Sequence, residues 1–101
     1  MYEWQQLIQR TVDQIDASLR AHDDEAVALR RLSETLGYSE YYMTRKFREI
    51  SGMRLRDYLR RRRLAFALKE VRDSSRPLLD IALDYGFSSH EAFTRAFEQI
   101  Y

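Results

Sequence analysis

The stretch GYSEYYMTRKFREI, from Gly37 to Ile50, recurs as GFSSHEAFTRAFEQI, from Gly86 to Ile100, if the second turn holds one added residue. Each copy has a glycine, an aromatic residue and a serine, followed by the pattern [MF]-T-R-x-F-x-x-I. Glycine permits positive φ, serine is a good helix N-cap, and we expect the aromatic residue to fill the corner of the turn. Apolar residues at i, i+4 and i+7 then predict a helix with one buried side. The repeat therefore predicts two helix-turn-helix units.

Helical periodicity divides the second helix of each copy into an inner and an outer side. The inner residues are large and apolar: Met43, Phe47 and Ile50, then Phe93, Phe97 and Ile100. A rotation of about 100° per residue places polar residues on the outer side: Tyr41, Thr44, Arg45 and Arg48, then Glu91, Thr94, Arg95 and Glu98. We expect Phe47 and Phe97 to be buried equivalents, so that a Thr-Arg pair faces outward in both copies.

The rest of the chain has further helical patterns and no strand pattern. The expected helices cover residues 3–20, a segment ending at Gly37, residues 40–50, residues 54–73, a short segment with Pro77 at its first position, and a last segment capped by Ser88 with Glu91 in a capping box. The predicted fold is all-α. Two helix-turn-helix subdomains, residues 3–52 and 77–101, are joined by a long central helix, residues 54–73.

Basic residues are concentrated in the middle of the chain. Residues 30–63 hold 11 basic and 4 acidic side chains, although the net charge of the whole chain is only +1. This asymmetry favours an anion-binding surface. The run Arg60–Arg63 spans about 300° of a helix, so its side chains point in different directions. We expect Arg60 to contact phosphate and Arg63 to be structural, paired to Asp80 or Asp84.

Several functional classes lack the residues they need. The chain has no cysteine, and neither of its two histidines has partners at metal-ligand spacing. It has no nucleophile-base arrangement and no phosphate-binding glycine loop. We therefore predict no catalytic residue, no metal and no cofactor. No apolar run approaches the roughly 20 residues that cross a bilayer, and we expect a cytoplasmic protein.

An outward helix that carries Thr and Arg suits the major groove of double-stranded DNA. Arg can donate two hydrogen bonds to guanine O6 and N7, and Thr can offer its methyl group to thymine. Two such helices on one face of DNA lie about 34 Å apart. A helix of some 20 residues is about 30 Å long, so the expected central helix, residues 54–73, has about the right length to set this spacing. The rival interpretation is a helical protein-interaction module that keeps the helix-turn-helix shape without binding DNA.

Three segments resemble the AraC/XylS family of bacterial transcription regulators: LSETLGYSEYYMTRKFREISG, YLRRRRLAFA and LLDIALDYGFSSHEAFTRAFEQIY. The most specific part is I-A-x-x-x-G-F-S-S followed by F-x-R-x-F. The resemblance covers about Trp4 to Tyr101 and implies two lobes whose recognition helices enter successive major grooves. By position it implies base-reading roles for Tyr41, Thr44 and Arg45, and for His90, Glu91, Thr94 and Arg95. Lys46 and Arg48 are then expected at phosphates, and RNA polymerase is a further candidate partner.

The sequence departs from the family pattern in three places. Ser33 stands where the family usually has Ala, and Glu91 and Glu98 make the second recognition helix unusually acidic. Family members also continue past the position of Tyr101 through a Gly-x-Ser/Thr-Pro turn into a last helix. The resemblance leaves two expectations open: an effector domain beyond Tyr101, through which alone a small-molecule effector would act, or a small stand-alone regulator.

Overall fold

Six α-helices make up the part of the chain that the computed structural model describes, residues 2–101, with the side chains of Tyr2 and Trp4 left out. They are α1 Tyr2–Arg20, α2 Glu25–Leu36, α3 Glu40–Ser51, α4 Leu55–Asp73, α5 Leu78–Asp84 and α6 His90–Ile100. No strand occurs among residues 2–101, so the all-α prediction is confirmed. None of these helices is both long enough and apolar enough to span a bilayer. The chain forms two compact units that meet within α4, the first ending at Leu59 and the second beginning at Arg60.

The first unit packs α1 against α2 and α2 against α3. Its buried apolar side chains come from all three helices and from the start of α4: Leu7, Ile15, Leu19, Ala28, Leu32, Leu36, Met43, Phe47, Leu55 and Leu59. The hydroxyl of buried Thr11 donates to the carbonyl of Leu7 at 2.8 Å, so this polar group is buried with a partner. Asp24 caps α2 by accepting from the backbone N–H of Val27 at 2.8 Å.

The second unit packs α5 and α6 around the later turns of α4. Its core holds small residues between large ones: Leu64, Ala67, Ile81, Ala82, Phe87, Phe93 and Ala96. Phe87 and Phe93 meet edge to face, with ring centres 5.2 Å apart. Pro77 is the N-cap of α5 and not its first residue. Its lack of an N–H costs nothing at either position, since the first N–H groups of a helix have no intrahelical partner.

The first helix-turn-helix turn is closed by Gly37 and Ser33. Gly37 has φ of 76°, and its N–H donates to the carbonyl of Ser33, which is the C-terminal geometry that glycine favours. The Ser33 hydroxyl donates to the carbonyl of Tyr38 across the turn. The equivalent residue of the second copy is the fully buried Ala82. Ser33, which departs from the family pattern, therefore adds a side-chain hydrogen bond at a position where the second copy has only a packed alanine side chain.

The prediction that an aromatic residue fills each turn is right for one copy and wrong for the other. Phe87 is buried, with 8% of its surface exposed, whereas Tyr38 is 42% exposed and stacks on Tyr42 with ring centres 4.8 Å apart. A buried tyrosine hydroxyl needs a hydrogen-bond partner and phenylalanine does not. Tyr38 therefore keeps its phenol at the surface.

The predicted capping box of α6 is wrong. The N-cap is Ser89, whose hydroxyl accepts from the backbone N–H of Ala92 at 3.0 Å. Ser88 lies one residue too early, so Glu91 occupies the second position of the helix and not the third, from which a capping box is made. In α3 the prediction is confirmed, since Ser39 accepts from the N–H of Tyr42 at 3.1 Å.

Phe47 and Phe97 are not buried equivalents. Phe47 is 4% exposed and meets Tyr58 of α4 edge to face at 5.3 Å. Phe97 is 42% exposed and lies against the ring of Tyr101. Small Ala96 takes the inward place on α6, and this turns Phe97 toward the edge of the buried side. Ile50, in the last turn of α3, is also exposed.

Candidate nucleic-acid interface

The outer side of α3 carries the residues that the sequence predicted there. Buried Met43 and Phe47 fix the inner side of the helix, so Tyr41, Thr44 and Arg45 are exposed on the other side. Tyr41 has 74% of its surface exposed. The helix thus presents an aromatic ring, a methyl-bearing hydroxyl and a guanidinium together.

Arg45 lies between two partners on its own helix. Its Nε is 3.5 Å from Oε1 of Glu49, one turn later, and its Cζ is 5.9 Å from the centre of the Tyr41 ring, one turn earlier. The phenol of Tyr41 and then the carboxylate of Glu49 raise the pKa of Arg45 above its ordinary value. An arginine is protonated at any working pH in any case, so Arg45 offers a permanent positive charge.

The two predicted phosphate contacts of α3 differ in exposure. The Lys46 side chain is only 25% exposed, and its Nζ lies 3.1 Å from Oε2 of Glu49 and 5.9 Å from the centre of the Tyr42 ring. Arg48 is exposed. Arg48 is therefore open to a phosphate without rearrangement, whereas Lys46 must leave Glu49.

Sequence reasoning missed Glu49. Its carboxylate contacts two cationic side chains, Arg45 four residues earlier and Lys46 three residues earlier. That spacing is a known signal for helical ion pairs, and it was available in the sequence.

The outer side of α6 is less open than that of α3. His90, Glu91 and Arg95 are exposed, but Thr94 is half-buried. The Thr94 hydroxyl also donates to the carbonyl of His90 at 3.0 Å, the back-bonding typical of Thr within helices. Arg95 is therefore the base-reading candidate of α6 with the freest access, and the Thr94 methyl group remains for apolar contact.

The arginine run of α4 points in different directions, as expected. Arg60 is exposed, and its Nη2 donates to Oε1 of Gln99 on α6 at 2.6 Å. Arg62 lies over the ring of Phe66, with Cζ 5.4 Å from the ring centre. The half-buried Arg63 lies against Gly86, where an added Cβ would come within 3.5 Å of its Nη1. Arg60 is thus hydrogen-bonded to α6, and its contact with phosphate stays a prediction.

The carboxylate expected to pair with Arg63 has another arginine beside it. Nη2 of Arg76 lies 2.6 Å from Oδ2 of Asp84, and its Nη1 lies 3.3 Å from Glu70. This network ties the end of α4 to α5. The pairing of Arg63 with Asp80 or Asp84 stays a prediction.

One open groove lies in the first unit, between α1 and α2. It has a volume of about 430 Å³ and is lined by Gln14, Arg30, Arg31, Glu34 and Thr35. All five lining residues are polar, whereas small-molecule sites are mostly apolar. Residues 2–101 also contain no cluster of three or more His, Asp or Glu that could hold a metal ion.

Comparison with known proteins gives one consistent result. The family described as "Helix-turn-helix domain" matches residues 32–101. "Regulatory protein SoxS" of Salmonella typhimurium is 37% identical over 95 residues, which are 94% of this chain and 85% of the relative. SoxS of Escherichia coli is 35% identical over 91 residues, 90% of this chain and 85% of the relative.

A longer relative matches over a smaller part of its length. "Right origin-binding protein" of Escherichia coli is 38% identical over 81 residues, which are 80% of this chain and 28% of the relative. The matched family covers both helix-turn-helix turns and both helices that carry a Thr-Arg pair. The chain belongs to the AraC/XylS family, whose members are DNA-binding transcription regulators.

Proposed function

We propose that the outer sides of α3 and α6 bind the major groove of DNA and that Arg45 is the principal base-reading residue. One observation carries this assignment: Arg45 is exposed and charged, and it stands beside exposed Tyr41 and Thr44 on a helix anchored by buried Met43 and Phe47. A guanidinium donates two parallel hydrogen bonds to guanine O6 and N7. Thr44 supplies a methyl group for thymine, and Tyr41 supplies an aromatic ring beside it.

The second helix contributes Arg95 as its main base-reading residue, with His90, Glu91 and Thr94 beside it. The exposure of Arg95 supports this role, and the half-burial of Thr94 limits that residue to contact through its methyl group. Glu91 accepts from a cytosine N4 if it reads a base at all. Reading of successive major grooves by α3 and α6 stays a prediction, which the length of a footprint would test.

Phosphate contacts position a protein on DNA without reading sequence. Arg48 takes this role first, because it is exposed, and Lys46 joins when its contact with Glu49 is exchanged for a phosphate. We propose RNA polymerase as the second partner, because a regulator bound beside a promoter can contact it. A cytoplasmic location follows from the same proposal.

A salt series separates DNA binding from the rival protein-interaction module. The probe is a duplex that the wild-type protein selects from a randomised pool, and the measurement is fluorescence anisotropy over a range of salt concentrations. The logarithm of the binding constant should fall linearly with the logarithm of salt. Arg48→Ala should reduce that slope by about 1, and Arg45→Ala should cost about 1–3 kcal/mol at one half-site.

Arg72→Ala is the matched control, since Arg72 is an exposed arginine at the end of α4 that pairs with Asp73. It should leave both the slope and the sequence preference unchanged. A flat salt series, together with full binding by Arg45→Ala, would favour the protein-interaction module.

A further inference from the structure

We infer that Glu49 is a positioning residue that sets how Arg45 presents its guanidinium to a base, so that Glu49 lowers affinity for DNA and raises the preference for guanine. This inference rests on the proposed base-reading role of Arg45. Glu49 faces the same surface as Arg45, but its charge is negative, and DNA attracts positive charge. Two contacts support it, Arg45 Nε to Oε1 at 3.5 Å and Lys46 Nζ to Oε2 at 3.1 Å.

The donors of the Arg45 guanidinium decide which of its edges can meet a base. Arginine has five N–H donors in a rigid plane, and two of its edges can form a pair of parallel hydrogen bonds. One edge joins Nε to a terminal nitrogen, and the other joins Nη1 to Nη2. Glu49 lies 3.5 Å from Nε, so it competes with a base mainly for the first edge. Guanine O6 and N7 are then met end-on by Nη1 and Nη2.

The position of Tyr41 restricts the same side chain from the other end. Tyr41, Arg45 and Glu49 follow one another at i, i+4 and i+8 along one stripe of α3. The guanidinium carbon is 5.9 Å from the Tyr41 ring centre, within the range of a cation–π contact. A long side chain loses conformational entropy when it is fixed by a ligand. The contacts with Tyr41 and Glu49 already restrict the Arg45 side chain in the free protein, so it loses less conformational entropy when it binds DNA.

The equivalent position on α6 provides an internal comparison. Gln99 stands where α3 has Glu49, and its Oε1 accepts from Arg60 at 2.6 Å. Arg95 therefore has an uncharged residue at i+4 whose oxygen is already engaged. The same repeat thus contains one reading arginine with a carboxylate at Nε and one without it. This difference assigns the positioning role to α3 alone.

The carboxylate also has a cost for DNA binding. Glu49 and Arg45 are both largely exposed, so their ion pair is weak, and Glu49 repels phosphates near the groove. A residue that weakens binding to all DNA but weakens it less for the right base increases discrimination. That is the combination expected of Glu49.

Three variants separate orientation from charge. Glu49→Ala removes both the acceptor and the charge, whereas Glu49→Gln removes the charge and keeps an oxygen for Arg45 Nε. Glu40→Ala is the charge-matched control, because Glu40 is an exposed acid in the first turn of the same helix. Each protein is titrated with the selected duplex and with duplexes in which single guanines are replaced by 7-deazaguanine, which lacks the N7 acceptor. Thermal unfolding checks that each variant is folded.

We expect Glu49→Ala to bind every duplex more tightly, by about 1.5- to 5-fold, the range of an exposed ion pair. Its preference for guanine over 7-deazaguanine should fall at least about threefold at the base read by Arg45. Glu49→Gln should bind more tightly as well but keep most of that preference. Glu40→Ala should leave the preference unchanged. A purely structural role would not alter the ratio between two duplexes that differ by one ring atom.

Two failures are distinguishable. If Arg45→Ala leaves the guanine preference intact, the proposed base-reading role is wrong. If Arg45→Ala abolishes the preference but Glu49→Ala retains it, the base-reading role holds and the positioning role of Glu49 is overturned. A drop in preference for Glu49→Gln as large as that for Glu49→Ala also overturns orientation through the Nε acceptor.

Discussion

The residue before each repeated phenylalanine decides how its helix packs. Position 46 is Lys and the equivalent position 96 is Ala. Lys46 keeps its ammonium near the surface, paired to Glu49, and α3 buries Phe47 instead. Ala96 is 1% exposed, so α6 lies close to its core at that point and Phe97 is left at the edge. One substitution within the repeat therefore changes which side chain is inside.

Truncation of the two phenylalanines should have unequal effects. Phe47→Ala should lower the free energy of unfolding by about 3–5 kcal/mol, since a buried ring leaves a cavity. Phe97→Ala should lower it by about 1 kcal/mol, because the ring is already partly in water. Urea unfolding of both variants measures this, and an unchanged denaturant slope shows that the comparison is sound. Equal losses would contradict the different burial of the two rings.

At the level of elements, local capping defines where the helices begin and end. Asp24, Ser39 and Ser89 each accept from a backbone N–H three residues later, at 2.8, 3.1 and 3.0 Å. Gly37 and Gly52 end α2 and α3 with φ of 76°, a conformation that residues with a Cβ rarely adopt. The N-caps Ser39 and Ser89 fix where α3 and α6 start, and so they fix which residues of each helix face outward.

The choice between the two adjacent serines of α6 can be tested directly. Ser89→Ala should lower the free energy of unfolding by about 1 kcal/mol through loss of the N-cap, which is about 4–8 °C in Tm for a domain of this size. Ser88→Ala should change it by less than about 0.5 kcal/mol. Ser39→Ala is the positive control, because Ser39 caps α3 in the same way. A larger effect at Ser88 than at Ser89 would restore the capping box that the sequence favoured.

Across the whole molecule, helices α3 and α6 carry different charge. Around Arg45 stand Lys46 and Arg48, with Glu49 as the nearest acid, whereas Arg95 lies between Glu91 and Glu98. Thr44 is open while Thr94 is half-buried and bonded to its own helix. Both the charge and the exposure favour stronger DNA binding by α3 than by α6. We therefore predict that the first unit is the stronger DNA-binding element and that the second adds contacts at lower affinity.

Three variants on one duplex at fixed salt test this inequality. Arg45→Ala should cost about 1–3 kcal/mol of binding free energy and relax the base preference in one half-site. Arg95→Ala should cost less. Glu98→Gln should strengthen binding without sharpening the preference, since it removes a charge that phosphates repel. Greater damage from Arg95→Ala, with no effect of Glu98→Gln, would refute the unequal contribution of the two units.

The sequence by itself determined the six helices, the two turns and the outward position of Tyr41, Arg45 and Arg95. These follow from local signals, because helical period, N-cap residues and glycine φ act over a few neighbouring positions. The class of function followed from the repeat, and the family followed from the resemblance of three segments to the AraC/XylS pattern. The residue-by-residue roles in DNA binding stay predictions, since they depend on contacts with DNA.

Only the tertiary structure decided the exposure of Tyr38 and Phe97, the choice of Ser89 as the cap of α6, and the half-burial of Thr94. In each case two arrangements fit the local pattern equally well. Ser88 and Ser89 are both good caps by type, and Ala96 and Phe97 are both apolar. The decision came from packing against residues far along the chain, since helix α6 turns whichever apolar residue best fits its core toward Leu64 and Ile81. Such a choice depends on shape in three dimensions, which a periodic pattern does not encode.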